Sequence, residues 1–205
     1  NIKSIPGGKS NIDLLIKGFS TAMKGDTTLL NNDLAQSYFR DYLTKVQNKL
    51  NEQVKADGEK FMAENLKKEG IQVTPSGLQY IVLKSADGAK PLATDKVKVH
   101  YTGTLMDGKV FDSSVERGEP VEFALNQVIP GWSEGVQLMP VGSKFKFFIP
   151  SNLGYGEQGV PQAGIPPFSP LTFEVELLDI IKEQPAPVVE EVKPAAVTKK
   201  STKKK

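Results

Sequence analysis

The spacing of hydrophobic positions changes once along this chain, at about Gly70, from every fourth residue to every second. Ahead of that point, from Asn11 to about Glu69, there is no proline and the apolar residues recur at helical intervals. Ser10 or Asn11 caps a first predicted helix that carries Leu14, Leu15, Gly18, Phe19 and Met23 and ends at Gly25. A second predicted helix starts near Asn32 and runs to Lys68, with Gly70 as its terminator, a length of roughly 50 Å at 1.5 Å per residue. Along it Leu34, Tyr38, Tyr42, Val46, Leu50 and Val54 form one stripe, widened by Phe39 and Leu43. A stripe of that length needs a surface to pack on, and the short first helix cannot cover it. A second copy of the chain is the natural partner, and packing on the rest of the same chain is the alternative. The following NEQVKADGEK reads as a solvated shaft before Phe61, Met62 and Leu66 renew the pattern.

After Gly70, five stretches alternate with period two and predict strands: Leu78–Leu83, Val97–Tyr101, Val121–Leu125, Lys144–Ile149 and Leu171–Leu177. Asp87-Gly88, Asp107-Gly108, Arg117-Gly118 and Val141-Gly142 supply turns between them. Only Trp132–Leu138, after Pro130-Gly131, reads as helical in this half. The pattern predicts an α+β architecture, an antiparallel sheet wrapping one small helix, preceded by an all-α region. Phe123, Phe145, Phe147, Val175 and Leu177 are predicted core, since alternation alone accounts for them. Residues 183–205, EQPAPVVEEVKPAAVTKKSTKKK, lack periodicity and predict a disordered Lys-rich tail, most simply a solubilising end. The expected division is therefore 1–69, 70–182 and 183–205.

Composition narrows the function classes. Among the 205 residues 39% are hydrophobic and 24% charged, which suits a globular protein, and no apolar run approaches the roughly 20 residues of a transmembrane helix. The absence of cysteine excludes disulfides, thiol catalysis and thiolate metal sites. Six Lys and three Glu in the tail leave the preceding part of this +2 chain almost neutral, so no nucleic-acid groove is expected. The chain opens on Asn1 rather than Met, which fits a processed form whose signal segment has been removed.

Two conventional chemistries fail on inspection. Gly154-Tyr155-Gly156-Glu157-Gln158-Gly159 matches the dinucleotide fingerprint in form, but Val160-Pro161 and Ile165-Pro166-Pro167 prevent the helix that fingerprint must open. His100, the single histidine, shares a strand face with Lys98 and points away from Val97, Val99 and Tyr101. Ser113 and Ser114 then have no base in evident reach, and a solvated or locally hydrogen-bonded histidine is expected instead of a hydrolytic triad. What remains is a set of large apolar groups with isolated polar ones. Trp132 on its short helix needs a partner for its indole N–H. Tyr155 lies in a loop too rich in Gly and Pro to bury it, and Asp112 beside Phe111 needs solvent or a hydrogen-bonded partner.

The segments VKVHYTGTLMDGKVFDSS, VIPGW, GYG, IPP and LTFEVELL, in that order from Val97 onward, closely resemble the FKBP-type peptidyl-prolyl cis/trans isomerases. The resemblance implies rotation about X-Pro amides of proline-containing unfolded or folding polypeptides, with no metal and no cofactor. It implies a pocket with Trp132 at its base and Tyr101, Phe111 and Phe173 lining it. Val128 and Ile129 stand on one side and Ile165 on another, with Asp112 and Tyr155 as polar contacts. Asp112 either meets the rotating amide or orients Arg117 and Tyr101. Val121 stands where an aromatic wall residue is frequent, and Val160 where small single-domain members place a histidine, in a loop one residue longer.

The helical region with KKEGIQVTPSGLQY is similar to the dimeric bacterial branch that includes the macrophage infectivity potentiator proteins. This implies an FKBP-like antiparallel twisted sheet behind an N-terminal dimerisation region, in a V-shaped homodimer whose long helices hold two catalytic domains apart. It implies export to the periplasm or outer membrane, and FK506/rapamycin-like macrolides as inhibitors. A chaperone or adhesion module using the dimer cleft, with isomerisation secondary, is the rival reading.

Overall fold

The computed structural model describes residues 32–181 together with Ser20, Thr21 and Lys24. The rest of the first predicted helix and the tail from Glu183 lie outside the described residues. The predicted long helix is α1, Asn32–Asn65, and it ends three residues before the expected Lys68. The reason is local. Lys67 N–H donates to Glu64 O at 3.2 Å and Lys68 N–H to Asn65 O at 3.0 Å, the tighter bonds of a closing turn. Gly70 then takes the left-handed conformation at φ 80°. Asn65 itself is fully buried and turned toward the sheet.

The strands are β1 (Gln72–Val73), β2 (Gln79–Lys84), β3 (Lys96–Thr104), β4 (Val110–Ser113), β5 (Val121–Ala124), β6 (Lys144–Ile149) and β7 (Leu171–Ile181). They form one antiparallel sheet in the order β1-β2-β6-β7-β3-β4, with β5 also on β3. Two short helices join them, α2 (Ser114–Arg117) and α3 (Pro130–Val136). All five predicted strands are present, while β1, β4 and α2 were not foreseen. The predicted Trp132–Leu138 helix starts two residues earlier, because Pro130 occupies its first turn, where a missing N–H costs nothing.

β3 is the hub of the sheet. Its whole length pairs with β7, while its other edge is divided: Lys96–Val99 pair with β5 and Thr102–Thr104 with β4. Its alternation puts Val97, Val99 and Tyr101 on the buried face, where Leu78, Phe147, Ile149, Leu171, Val175 and Leu177 join them. Phe145, Phe147, Val175 and Leu177 are core, as their period implied. α3 closes this face at short range because Gly131 and Gly135 present backbone to β6. A Cβ on Gly135 stands 2.7 Å from Phe147 Cε1, and one on Gly131 2.5 Å from Ile149 Cγ2.

The last turns of α1 dock on the sheet through a small polar key inside an apolar contact. Asn65 Nδ2 donates to Gln79 Oε1 and Gln79 Nε2 donates to Met62 O, each at 2.9 Å, beside the tilted ring pair Phe61–Phe148. One turn and more upstream, Gly58 packs on Pro170. Farther up, the stripe is uncovered: Tyr38 is 61% exposed and Phe39 53%, with Tyr42, Leu43 and Leu50 also exposed. The chain's own sheet therefore does not cover the upper stripe. Among the described residues no helix is long and apolar enough to cross a membrane.

Candidate active site

The buried face of the sheet ends in a pocket of about 300 Å³ lined by Tyr101, Phe111, Asp112, Phe123, Gln127, Val128, Ile129, Trp132, Tyr155 and Phe173. Four of the six rings come from strands, so their positions follow from register. Tyr101 sits on β3, Phe111 on β4, Phe123 on β5 and Phe173 on β7, where it faces Gly103 of β3. Gly103 is what lets the wall close. A Cβ there falls 2.6 Å from Phe111 Cζ and 2.8 Å from Phe173 Cε1. Trp132, on α3, is the floor. It meets Tyr101, Phe123 and Phe173 edge-to-face, with centroids 5.3, 5.4 and 5.3 Å away, the arrangement aromatic quadrupoles favour. Phe111 and Phe173 form a further edge-to-face pair at 5.5 Å.

Polar chemistry is concentrated at one side. Tyr101 Oη donates a short hydrogen bond to Asp112 Oδ2, and Arg117 Nη1 donates to Asp112 Oδ1. Arg117 Nη2 lies 3.2 Å from Tyr101 Oη, and the guanidinium stands 5.8 Å from the Tyr101 ring centroid. Burial opposes the charge on Asp112, yet hydrogen bonds from Tyr101 and Arg117 with the guanidinium's charge outweigh it and hold the carboxyl below its ordinary value. Burial first and the Asp112 carboxylate second push the Tyr101 phenol up. The Tyr155 phenol is raised by burial and then by the charge of Asp112. At neutral pH the site therefore offers one carboxylate already satisfied by two donors, and two phenols that keep their protons.

Of the residues expected at this site, Tyr101, Phe111, Asp112, Val128, Ile129, Trp132, Tyr155 and Phe173 meet in the pocket. Three do not line it. Arg117 stands on an adjoining polar shelf with Val110, Ser113 and Glu116, reaching the pocket only through Asp112 and Tyr101. Val121 pairs with Val99 at the start of β5 and packs on the core. Ile165 is buried in the core and bridges to Val160.

Two corrections concern the site. Phe123, expected in the core, lines the pocket, because alternation assigns an inward face without saying where that face ends. Ser114, expected to lack a base, has His100 Nδ1 at 3.1 Å. Its Oγ is fully buried and also receives the Tyr101 N–H at 2.8 Å, so the pair is structural and no hydrolytic nucleophile results. Gln127 was also missed, and its place beside the VIPGW segment was the available signal. The indole N–H of Trp132, expected to need a partner, is buried without an acceptor among the described residues. The glycine segment around Tyr155 opens no helix. Gly156 and Gly159 are left-handed, and a Cβ on Gly159 is 2.5 Å from Ile165 O.

Residues 88–178 match the family described as FKBP-type peptidyl-prolyl cis-trans isomerase, and residues 3–82 match the domain amino terminal to it. The chain is 52% identical over 189 residues to the FKBP-type peptidyl-prolyl cis-trans isomerase FkpA of Aeromonas hydrophila, covering 88% of this chain and 68% of that protein. It is 42% identical to the outer membrane protein MIP of Legionella longbeachae, covering 84% of this chain and 76% of that one. The crystal structure of FkpA from Escherichia coli is similar with a TM-score of 0.72 at 38% identity, over 85% of this chain and 84% of that one. A long helix joined to a seven-stranded antiparallel sheet, with an aromatic pocket at the end of that sheet, is thus accompanied by similarity along nearly the whole chain, and the protein belongs to the FKBP-type peptidyl-prolyl cis-trans isomerases, in the branch of FkpA and MIP.

Proposed function

We propose that isomerisation takes place in the aromatic pocket, with the prolyl ring seated on Trp132 between Tyr101, Phe111, Phe123 and Phe173. The observation that carries this reading is that motifs scattered from Tyr101 to Phe173 converge on one apolar cavity whose charged group, Asp112, is already neutralised by Arg117. Rotation about an X-Pro bond is slow because the C–N bond is partly double, with a barrier of about 18–20 kcal/mol. The twisted amide has lost that resonance and part of its dipole. An apolar enclosure disfavours the planar, dipolar form more than the twisted one and so lowers the difference between them. The Tyr155 hydroxyl and the Ile129 N–H hold carbonyls flanking the proline, fixing one side while the other turns. Asp112 acts as the anchor that orients Tyr101 and Arg117. Val128 shapes the wall, while Val121 and Ile165 support it from behind. The test is a protease-coupled X-Pro peptide assay on Asp112→Ala and Tyr155→Phe. Each is expected to lose about tenfold or more in kcat/KM, equivalent to about 1.4 kcal/mol of transition-state stabilisation. Unchanged turnover in both variants removes the assignment.

The exposed stripe on α1 supports a homodimer built from residues 1–69, each copy carrying residues 70–182 as an isomerase domain ahead of the Lys-rich tail 183–205. The relative named as an outer membrane protein supports a periplasmic or outer-membrane location. The same pocket is the expected seat of FK506/rapamycin-like macrolides, which compete with proline peptides. The second reading, a chaperone or adhesion cleft between two copies, is favoured by the same stripe. It predicts that refolding of a client without limiting prolines is still accelerated.

A further inference from the structure

β3 has a gap in its ladder at the point where the pocket begins. β5 pairs with it as far as Val99 and β4 from Thr102 onward, which leaves His100 and Tyr101 between the two. The buried hydroxyl of Ser114, the first residue of α2, fills this gap like a strand residue. It accepts the Tyr101 N–H at 2.8 Å and stands 3.3 Å from Tyr101 O, as a donor to that carbonyl. The third contact of the same oxygen is His100 Nδ1 at 3.1 Å. A hydroxyl has one proton and two lone pairs. If Nδ1 is bare, the single Ser114 proton must choose between the imidazole and the Tyr101 carbonyl. If Nδ1 carries a proton, all three contacts become hydrogen bonds at once. Buried polar atoms are overwhelmingly satisfied, and this decides between the two.

We infer that His100 is a positioning residue for the isomerase site: its Nδ1–H completes a three-bonded Ser114 hydroxyl that locks α2 to the Tyr101 segment of β3. The leverage comes from the two ends of α2. Ser114 opens the helix, and Ser113 caps it by accepting the Glu116 N–H at 3.2 Å and meeting Thr102 Oγ1 at 2.9 Å. Arg117 closes it and reaches Asp112 and Tyr101 Oη. Tyr101 is thus held at its backbone by one end of α2 and at its hydroxyl by the other. Loosening Ser114 lets Arg117, Asp112 and Tyr101 drift together. The His100 side chain is not among the groups that line the pocket.

The chain has a single histidine, so its imidazole nitrogens give one unambiguous pattern in a long-range ¹⁵N–¹H spectrum of the full-length protein. The expected result is an Nδ1 that carries a proton. A tautomer protonated at Nε2 alone overturns the inference. Kinetics supply the second arm. His100→Asn puts an amide donor where Nδ1 stood, whereas His100→Leu removes it. His100→Leu is expected to lower kcat about three- to tenfold with KM unchanged, and His100→Asn to restore most of that loss. Equal turnover in His100→Leu and the parent protein, or an equal loss in both variants, also overturns it. The kinetic arm rests on the pocket being the catalytic site, while the tautomer does not, so the two failures are distinguishable.

Discussion

Asp112 keeps a full charge among aromatic rings because Tyr101 and Arg117 between them satisfy both of its oxygens. Its carboxyl is held below the ordinary 3.8. The unfolded chain therefore takes up the proton first as the solution is acidified. The stability contributed by this cluster is present above the ordinary carboxyl value and is lost as pH falls through the lower, folded one. Tyr101 and Tyr155 act in the opposite direction. Their phenols are raised above the ordinary 10.0, so their contribution is present below that value and is lost as pH rises through the folded one. Urea unfolding across pH is expected to give a plateau bounded by these two limbs. Asp112→Asn should flatten the acid limb and weaken the alkaline one, because burial alone then raises the two phenols, and an unchanged acid limb would mean that other carboxylates carry it. The identities of these residues were legible in the sequence through short motifs. Their bonding was open between two readings, Asp112 on the rotating amide or Asp112 with Arg117 and Tyr101: two donors on one carboxylate depend on β3, β4 and α2 meeting, which no local pattern encodes.

At the scale of elements, glycines decide how closely the parts approach. Gly103→Ala brings a methyl into both Phe111 and Phe173. The rings must turn to admit it, and kcat/KM is expected to fall at least tenfold while a proline peptide binds more weakly by titration. Gly135→Ala favours the helix locally but presses on the fully buried Phe147. Overpacking of this kind costs about 1–3 kcal/mol, to be read as a lower urea midpoint with an unchanged slope. Period-two alternation revealed β2, β3, β5, β6 and β7, most cleanly β3, whose residues alternate between buried and half-buried along its whole length. β1 and β4 escaped notice for physical reasons: β1 has two residues, too few to alternate, and β4, as short as β5, reads Val-Phe-Asp-Ser, two apolar residues then two polar ones, so pairing alone makes them strands. Phe123 was misassigned for a related reason. Its inward direction is written in the alternation of β5, but the end of the core is a property of the assembled sheet.

For the whole molecule, the uncovered stripe on α1 makes the strongest demand. Tyr42→Glu with Leu50→Glu places charges in it without touching the pocket. The expected outcome is a shift from dimer to monomer in sedimentation at micromolar concentration, with peptide turnover per chain unchanged. A parent protein that already sediments as a monomer sinks the dimer proposal. At the other end of α1, the Asn65–Gln79 key fixes the helix to the sheet. Asn65→Ala strips a buried partner from Gln79 and is expected to lower stability by about 1–3 kcal/mol, with faster amide exchange in the last turn of α1. The division of the β3 edge has a consequence for client choice. With β5, Ser114 and β4 filling that edge from Lys96 to Thr104, an incoming chain finds no strand register to join on β3. In the proposed mechanism it is read through one ring and the carbonyls around it, which convey almost no sequence information. Discrimination among clients then falls to encounter frequency, and in the proposed dimer a second pocket tethered to the first would raise the local concentration of a chain already held.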